Sequence, residues 1–165
     1  MTSRFSADAK DEIARIRSER ACCPAAFVRG MARYSGAARS AIIVATERSA
    51  VARAALGAAK TAGVEATAEQ RRTKRFADRV LVTVRADRPI AALEPPARSC
   101  CRRAWLRGAF LACGSVTDPA RGYHLEFACK RDGDARALGD VLATLSIDAG
   151  MSRRRRGRPV PRSCR

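Results

Sequence analysis

The 165-residue sequence contains few acidic residues, a single histidine and no long apolar run. No segment approaches the roughly eighteen apolar residues that a membrane-spanning helix needs, and the amino end MTSRFSADAKDEIARI has no apolar signal core. These absences predict a protein of the cytosol. The sequence also lacks a glycine-rich phosphate loop and a metal-binding helix motif, so neither kind of site is predicted.

Positive charge is what the sequence has in excess. Lysine and arginine number 33 against 16 aspartates and glutamates, which gives a formal net charge of +17. A surplus of this size indicates a polyanionic partner, most commonly nucleic acid. Because alanine and arginine are abundant along the whole chain, only clusters of basic residues are informative.

Two basic clusters are present, RRTKR in a predicted hairpin turn and SRRRRGR near the carboxyl end. Such side chains neutralise phosphates without reading base sequence, and their binding weakens steeply with salt. The plainer alternative is a solvated turn and a disordered tail, and we expect residues 153–165 to be disordered. We predict binding to DNA, in the cytoplasm with the nucleoid. The predicted DNA-binding residues are Arg71, Arg72, Lys74, Arg75, Arg153, Arg154, Arg155, Arg156 and Arg158.

Seven cysteines, which include two adjacent pairs, fit a reducing compartment better than a disulfide framework. Zinc ligands are usually separated by two to four residues, so adjacent cysteines are poorly spaced for zinc. We therefore expect the thiols to be small, buried, apolar groups. The sequence predicts neither a metal nor a cofactor.

The apolar pattern predicts an α+β fold in which helices alternate with antiparallel strands. Ser6 is the predicted N-cap of the first helix. In the run 79–85 valines alternate with other residues, as in a half-buried strand. The predicted helices are 6 to about 20, 23–34, 49–63, a short one before Pro95, 99–112 and 134–149. The predicted strands are 40–47, 64–72, 79–85 and the two arms of a hairpin over 114–130.

Two stretches of the sequence are similar to each other, and both predict a helix. The stretch CCPAAFVRGMARYSGAA, residues 22–38, and the stretch CCRRAWLRGAFLACGSV, residues 100–116, share six identities in seventeen. Average residue usage would give about one or two. Small residues spaced by four let another helix backbone approach, so we expect the two copies to pack together at a pseudo-two-fold axis. The alternative is two unrelated alanine-rich helices. The predicted packing residues are Ala26, Gly30, Ala104, Gly108 and Ala112.

The stretch CCRRAWLRGAFLACGSVTDPARGYHLEF, residues 100–127, resembles the second motif of the WhiA family of bacterial sporulation and cell-division regulators. FSADAKDEIARI followed by CC resembles that family's amino end. The resemblance runs from about Phe5 to Gly150. It implies a duplicated domain similar in fold to LAGLIDADG homing endonucleases, with two motif helices at a pseudo-two-fold axis and two antiparallel sheets. We expect this domain over 1–152, with repeats over about 22–96 and 99–150.

Two features depart from the family's pattern. The family carries a helix-turn-helix domain after this region, and the sequence ends before it. The closing stretch SRRRRGRPVPRSCR stands in place of the expected further strands, and AARS, residues 37–40, replaces a longer turn and strand. We therefore expect a DNA-binding regulator of transcription, sporulation and cell division that consists of the LAGLIDADG-like domain.

The resemblance also bears on catalysis. A homing endonuclease needs an acidic residue near the carboxyl end of each motif helix, where two carboxylates hold divalent metal. Cys113 and Ser35 stand at these positions, and neither is a hard anionic ligand for magnesium. Asp118 is interpreted as a turn residue and Glu126 as an exposed strand residue. His124 is an unsupported partner for Cys113 as a nucleophile, so no enzymatic activity is predicted.

Three acidic residues argue for a different function. Glu65, Glu69 and Glu126 fall on presumed outer strand faces, where they would repel a DNA backbone. The alternative hypothesis is a protein-interaction scaffold that docks a regulatory partner, such as another transcription factor, through its sheet face without binding DNA directly. The sequence leaves the oligomeric state open.

Overall fold

The computed structural model describes residues 4–17, 20–35, 41–73, 79–122, 124–154 and 158–163. Within them, helices alternate with short strands, as the sequence predicts. The helices are α1 (Arg4–Arg15), α2 (Cys23–Tyr34), α3 (Ser49–Thr61), α4 (Ser99–Cys113) and α5 (Asp132–Thr144). The strands are β1 (Ile42–Thr46), β2 (Ala66–Thr73), β3 (Arg79–Ala86), β4 (Gly114–Val116), β5 (Leu125–Phe127), β6 (Ala149–Arg154) and β7 (Arg158–Ser163). None of the described helices is both long and apolar enough to span a membrane.

The two halves of the chain build sheets with the same strand order. The first sheet runs β1-β3-β2 and the second runs β4-β5-β7-β6, with every pair of neighbours antiparallel. The run β5-β7-β6 therefore repeats β1-β3-β2. In each half one helix precedes the first strands (α2 or α4) and another precedes the last hairpin (α3 or α5). The duplication inferred from the sequence is present in this topology.

Helices α2 and α4 form the centre of the core. A Cβ atom on Gly30 would lie 2.1 Å from the carbonyl oxygen of Trp105, and one on Gly108 would lie 2.2 Å from that of Phe27. These two contacts are reciprocal, because Trp105 occupies in α4 the place that Phe27 occupies in α2. Glycine is required at both positions since any side chain would collide with backbone. Ala26 and Ala104 are buried in the same core, and Ala112 is partly buried at its edge.

Strands lie in the carboxyl-terminal stretch that was predicted to be disordered. Residues 149–154 and 158–163 form β6 and β7, which pair with each other from Ala149 and Ser163 to Arg154 and Arg158. β7 also pairs with β5, so the second sheet continues beyond Gly150. The arginine-rich composition favoured a solvated tail, but an adjacent sheet edge offers the backbone hydrogen bonds that composition does not reveal.

The connection between the halves is not the predicted short helix. Residues 87–98 contain no helix, and Ala92 has a left-handed backbone with φ of 51°. Side chains from both central helices hold this segment, because Trp105 Nε1 and Arg33 both donate to the carbonyl of Leu93. Proline near the end of the segment also disfavours helix continuation.

Two helix ends differ from prediction as well. The helix α1 begins at Arg4, and Ser6 is buried within it rather than capping it. The Ser6 hydroxyl instead accepts a hydrogen bond from the backbone N–H of Val116, 3.1 Å away. The helix α5 ends at Thr144, five residues before the predicted end at 149, and Ser146 follows with a φ of 59°.

Candidate functional site

The first basic cluster lies on the hairpin of β2 and β3. Arg71 pairs with Leu81 and Arg72 pairs with Val80, and both arginines are exposed. Because side chains alternate along a strand, Arg71 and Arg72 point to opposite faces of the sheet. Lys74 and Arg75 lie outside the described residues.

Arg85 is a basic residue of the outer face that the sequence prediction missed. It pairs with Thr67, which lies on the same face of β2 as Arg71. Arg85 is exposed, whereas Val82 and Val84 of the same strand are buried. The alternation of valines in β3 already placed Arg85 away from the core, and this was the signal that could have identified it.

The second basic cluster lies on the corresponding hairpin of the second half. Arg153 and Arg154 are the last residues of β6, and Arg158 is the first residue of β7. Arg155 and Arg156 lie outside the described residues. The sheets have the same order, so the β6–β7 hairpin is the counterpart of the β2–β3 hairpin. The two clusters that the sequence singled out thus belong to equivalent elements of the two halves.

Acidic residues make the sheet faces mixed in charge. Glu69 pairs with Thr83 and is exposed on the same face as Arg71. Glu65 is also exposed, just before β2. Glu126 is only half-buried, and its register partners are Ser115 on one side and Arg162 on the other. The outer faces therefore carry charges of both signs.

The carboxyl ends of the two central helices carry no carboxylate at the positions of the nuclease acids. Ser35 caps α2, and its hydroxyl donates to the carbonyl of Ala32. Cys113 ends α4, where a hydrogen bond with Cys129 and burial raise the pKa of its thiol well above the ordinary value. A neutral thiol and a hydroxyl are poor ligands for a hard cation.

A lysine ammonium group lies at the end of each of these helices. Lys10 donates to the carbonyl of Leu111 at 3.2 Å, and Lys130 reaches the carbonyl of Ser35 at 3.5 Å. Cations are favoured at the negative, carboxyl end of a helix dipole. Burial lowers the pKa of Lys10, which lies above the ring of Phe110. Sequence reasoning missed both contacts, since each lysine is distant in sequence from the helix it meets.

Asp134 is a buried carboxylate near these helix ends that the sequence prediction did not identify as a site residue. It is 5% exposed. Its oxygens accept hydrogen bonds from Arg33 of α2 at 3.0 Å and from Arg131 at 2.7 Å. Tyr34 donates to its backbone carbonyl. Asp134 is thus engaged in an ion-pair network that joins α2 to α5.

Asp118 and His124 have local roles. The carboxylate of Asp118 accepts a hydrogen bond from the backbone N–H of Ala120, which is the turn role predicted for it. The backbone carbonyl of His124 accepts from the N–H of Thr117 across the β4–β5 hairpin. Neither of these contacts involves Cys113, so neither supports a role for Cys113 as a nucleophile.

The structure also brings the two cysteine pairs together. The Sγ atoms of Cys22, Cys23, Cys100 and Cys101 all lie within 4.8 Å of one another, and all four thiols are free. Cys23 and Cys101 are buried, whereas Cys22 and Cys100 are half-buried. Hydrogen bonds with neighbouring thiols, that of Cys101 first, lower the pKa of Cys22 to about 7.

A family model and individual related sequences all match this chain to WhiA proteins. Residues 102–160 match the WhiA LAGLIDADG-like domain. Over 92% of its length the chain is 31% identical to a probable cell division protein WhiA of Heliobacterium modesticaldum, covering 56% of that protein. Over 93% it is 32% identical to the one of Desulforudis audaxviator, covering 57%. The chain thus spans about half the length of the curated relatives it matches.

Solved structures show the same fold. Full-length DUF199/WhiA from Thermotoga maritima superposes with a TM-score of 0.76 at 20% identity, covering 96% of this chain and 57% of that one. The N-terminal LAGLIDADG domain of DUF199/WhiA gives 0.75 at 22% identity, covering 98% and 88%. The homing endonuclease I-DmoI, in complex with its target DNA, gives 0.62 at 12% identity, covering 87% and 88%. The fold is a duplicated LAGLIDADG-like α+β domain, and the chain belongs to the WhiA family.

Proposed function

We propose that this chain is a non-catalytic DNA-binding protein that acts in the regulation of transcription and sporulation and in cell division. The last of these is the role that the names of its relatives, probable cell division proteins, indicate for those proteins. One observation carries the proposal: the two basic clusters lie on equivalent hairpins of the two halves. A duplicated domain that presents the same basic hairpin twice suits a polymer with a repeating phosphate charge. Its place would be the nucleoid.

The binding would be mainly electrostatic. Arg71 and Arg85 share one exposed face of the first sheet, and the formal net charge of the chain is +17. Each phosphate that such a side chain neutralises releases counterions. The logarithm of the affinity therefore falls linearly with the logarithm of the salt concentration, and this salt slope is about 0.9 per phosphate contact. Contacts of this kind position a protein on DNA without reading the bases.

The helix ends support a function without DNA cleavage. Ser35 and Cys113 replace the two carboxylates that would hold divalent metal, and Lys10 and Lys130 place cations at the same ends. A cation beside the site opposes the binding of a second cation. Plasmid nicking in the presence of magnesium or manganese would contradict this part of the proposal.

Fluorescence anisotropy with duplex DNA across a salt series tests DNA binding. The variants are Arg71→Ala/Arg85→Ala for the first hairpin and Arg154→Ala/Arg158→Ala for the second. Each is expected to reduce the salt slope by about 1.8, that is, by two phosphate contacts. Arg53→Ala/Arg136→Ala is the matched control, because these exposed arginines occupy equivalent positions on α3 and α5.

Equal slopes for the hairpin variants and the control would overturn the proposal that the hairpins hold DNA. No binding even at low salt would favour the second candidate function, a scaffold that docks another transcription factor. The exposed Glu69 beside Arg71 favours that candidate, since a surface of mixed charge suits a protein partner better than a phosphate backbone. Recovery of one stoichiometric partner after nuclease treatment would identify it.

A further inference from the structure

The four-cysteine cluster (Cys22, Cys23, Cys100 and Cys101) lies where the two central helices begin. Cys22 is the N-cap of α2 and Cys23 its first residue, while Cys100 and Cys101 are the second and third residues of α4. Because α2 and α4 pack against each other around the reciprocal glycine contacts, their amino ends meet and bring both pairs to one place. Neither pair could surround an ion by itself.

The spacing of the sulfur atoms fits a single small ion. Thiolates placed tetrahedrally about 2.3 Å from a zinc ion are about 3.8 Å apart. The Cys22 and Cys100 Sγ atoms are 3.9 Å apart, as are those of Cys100 and Cys101. A disulfide requires about 2.05 Å, so these pairs are not bonded. All four atoms lie within 4.8 Å, which leaves room for one ion and not for a cluster of several irons.

The donor set selects the kind of metal. Four thiolates are soft ligands that favour zinc over magnesium or calcium, which require oxygen. Four-cysteine coordination with no open position is the arrangement of structural zinc sites rather than catalytic ones. The half-buried Cys22 and Cys100 provide the route by which an ion could enter from solvent.

The surroundings compensate the charge of such a site. Four thiolates around a divalent ion carry a net charge of about −2. The amino ends of α2 and α4 present the positive ends of two helix dipoles to it.

We propose that the four-cysteine cluster binds one zinc ion, which joins the amino ends of α2 and α4 and so fastens one half of the domain to the other. The ion serves stability rather than chemistry, because all four ligand positions are filled by protein. This inference does not rest on the proposed DNA binding, since the four cysteines belong to the amino ends of α2 and α4 and not to the basic hairpins.

Metal content of the whole chain, expressed with zinc and purified under reducing conditions, provides the test. We expect about one zinc per chain for the wild type. Replacement of zinc by cobalt(II) should give the visible bands and sulfur charge-transfer absorption of a tetrahedral thiolate site. Cys22→Ser/Cys100→Ser should lose both signals. Cys113→Ala is the matched control, because it removes a thiol outside the cluster and should retain both.

Thermal unfolding provides a second measurement. A strong chelator should lower the Tm of the wild type and of Cys113→Ala, and should leave the Tm of Cys22→Ser/Cys100→Ser unchanged. Wild-type chain that contains no zinc, takes up no cobalt and unfolds at the same temperature with or without chelator would overturn the proposal. Stoichiometric iron, or a cobalt spectrum without sulfur charge transfer, would also overturn it. The cobalt spectrum of the wild type decides the matter even if the double variant fails to fold.

Discussion

The helices α2 and α4 are two copies of one element in one molecule, and they differ more at their carboxyl ends than along their contact. Each contributes a glycine that lies against the backbone of the other, so close that an added Cβ would come within 2.1 or 2.2 Å of a carbonyl oxygen. Each also has a cysteine pair at its amino end. At the other end one copy has Ser35 and the other has Cys113. Their side chains have different hydrogen-bond partners, the carbonyl of Ala32 and the thiol of Cys129.

This comparison separates the positions at which the two helices contact each other from the positions at their carboxyl ends. The glycines are the same in both copies because each lies against the backbone of the other helix. The cysteine pairs meet as well, since the Sγ atoms of Cys22 and Cys100 are 3.9 Å apart. The carboxyl ends carry no matched pair of carboxylates and are not required to agree. The two copies therefore agree where the helices pack against each other and diverge at their carboxyl ends.

The strongest test of the comparison replaces each contact glycine in turn. Gly30→Val and Gly108→Val should each lower the free energy of unfolding by about 3 kcal/mol, because the new side chain collides with backbone that cannot move aside. The reciprocal geometry predicts similar losses for the two variants. Urea denaturation followed by circular dichroism measures them.

Gly57→Ala and Gly139→Ala are the controls, since nothing lies within 4 Å of a Cβ at either position. In these helices alanine should stabilise by about 0.5 kcal/mol or more. A loss confined to Gly30 or to Gly108 would show that the two copies are not equivalent in the core.

The next test uses a contact that only one half possesses. Asp134, the third residue of α5, is buried against Arg33, whereas the third residue of α3 is the apolar Val51. Asp134→Ala should destabilise by about 3 kcal/mol because it leaves a buried guanidinium without one of its partners. Chemical denaturation measures the change. A loss no larger than that of the exposed control Asp140→Ala would contradict this assignment.

A smaller effect distinguishes the two faces of the first hairpin. Arg71→Ala removes a charge from the face shared with Arg85, whereas Arg72→Ala removes one from the opposite face. If DNA lies on the outer face, only the first should reduce the salt slope, by about 0.9. Anisotropy titrations of the single variants give the answer. Equal reductions would place the DNA at the hairpin end rather than on the face.

The smallest effect concerns pH and the attachment of α1 to the first half. Hydrogen bonds from Arg48 lower the pKa of Asp11 below its usual 3.8. A carboxyl with a lowered folded-state pKa adds stability above its unfolded pKa and loses it as the pH falls through the folded value. Asp11→Asn should therefore cost up to about 1 kcal/mol at pH 7 and nothing in strong acid. Urea midpoints at several pH values measure this, and a pH-independent cost would contradict it.

Much of the local structure was predictable because local periodicity determines it. The alternation in 79–85 predicted β3, and the spacing of small residues predicted that α2 and α4 would pack. Composition was a poorer guide at the carboxyl end, where the basic stretch 153–165, predicted as disordered, contains the last two residues of β6 and all of β7. Strand pairing depends on a neighbouring edge, and composition contains no record of that edge.

The amino-acid sequence by itself predicts the α+β order and the duplication, and it contains the basic clusters and the two cysteine pairs. Which of these features meet is a property of the folded chain. Spacing within each pair argued against zinc, yet folding brings Cys22 to 3.9 Å from Cys100 across 78 residues of chain. Folding likewise pairs Arg33 with Asp134. Short-range patterns are written along the chain, but distances between remote residues arise only when apolar burial packs the two halves together.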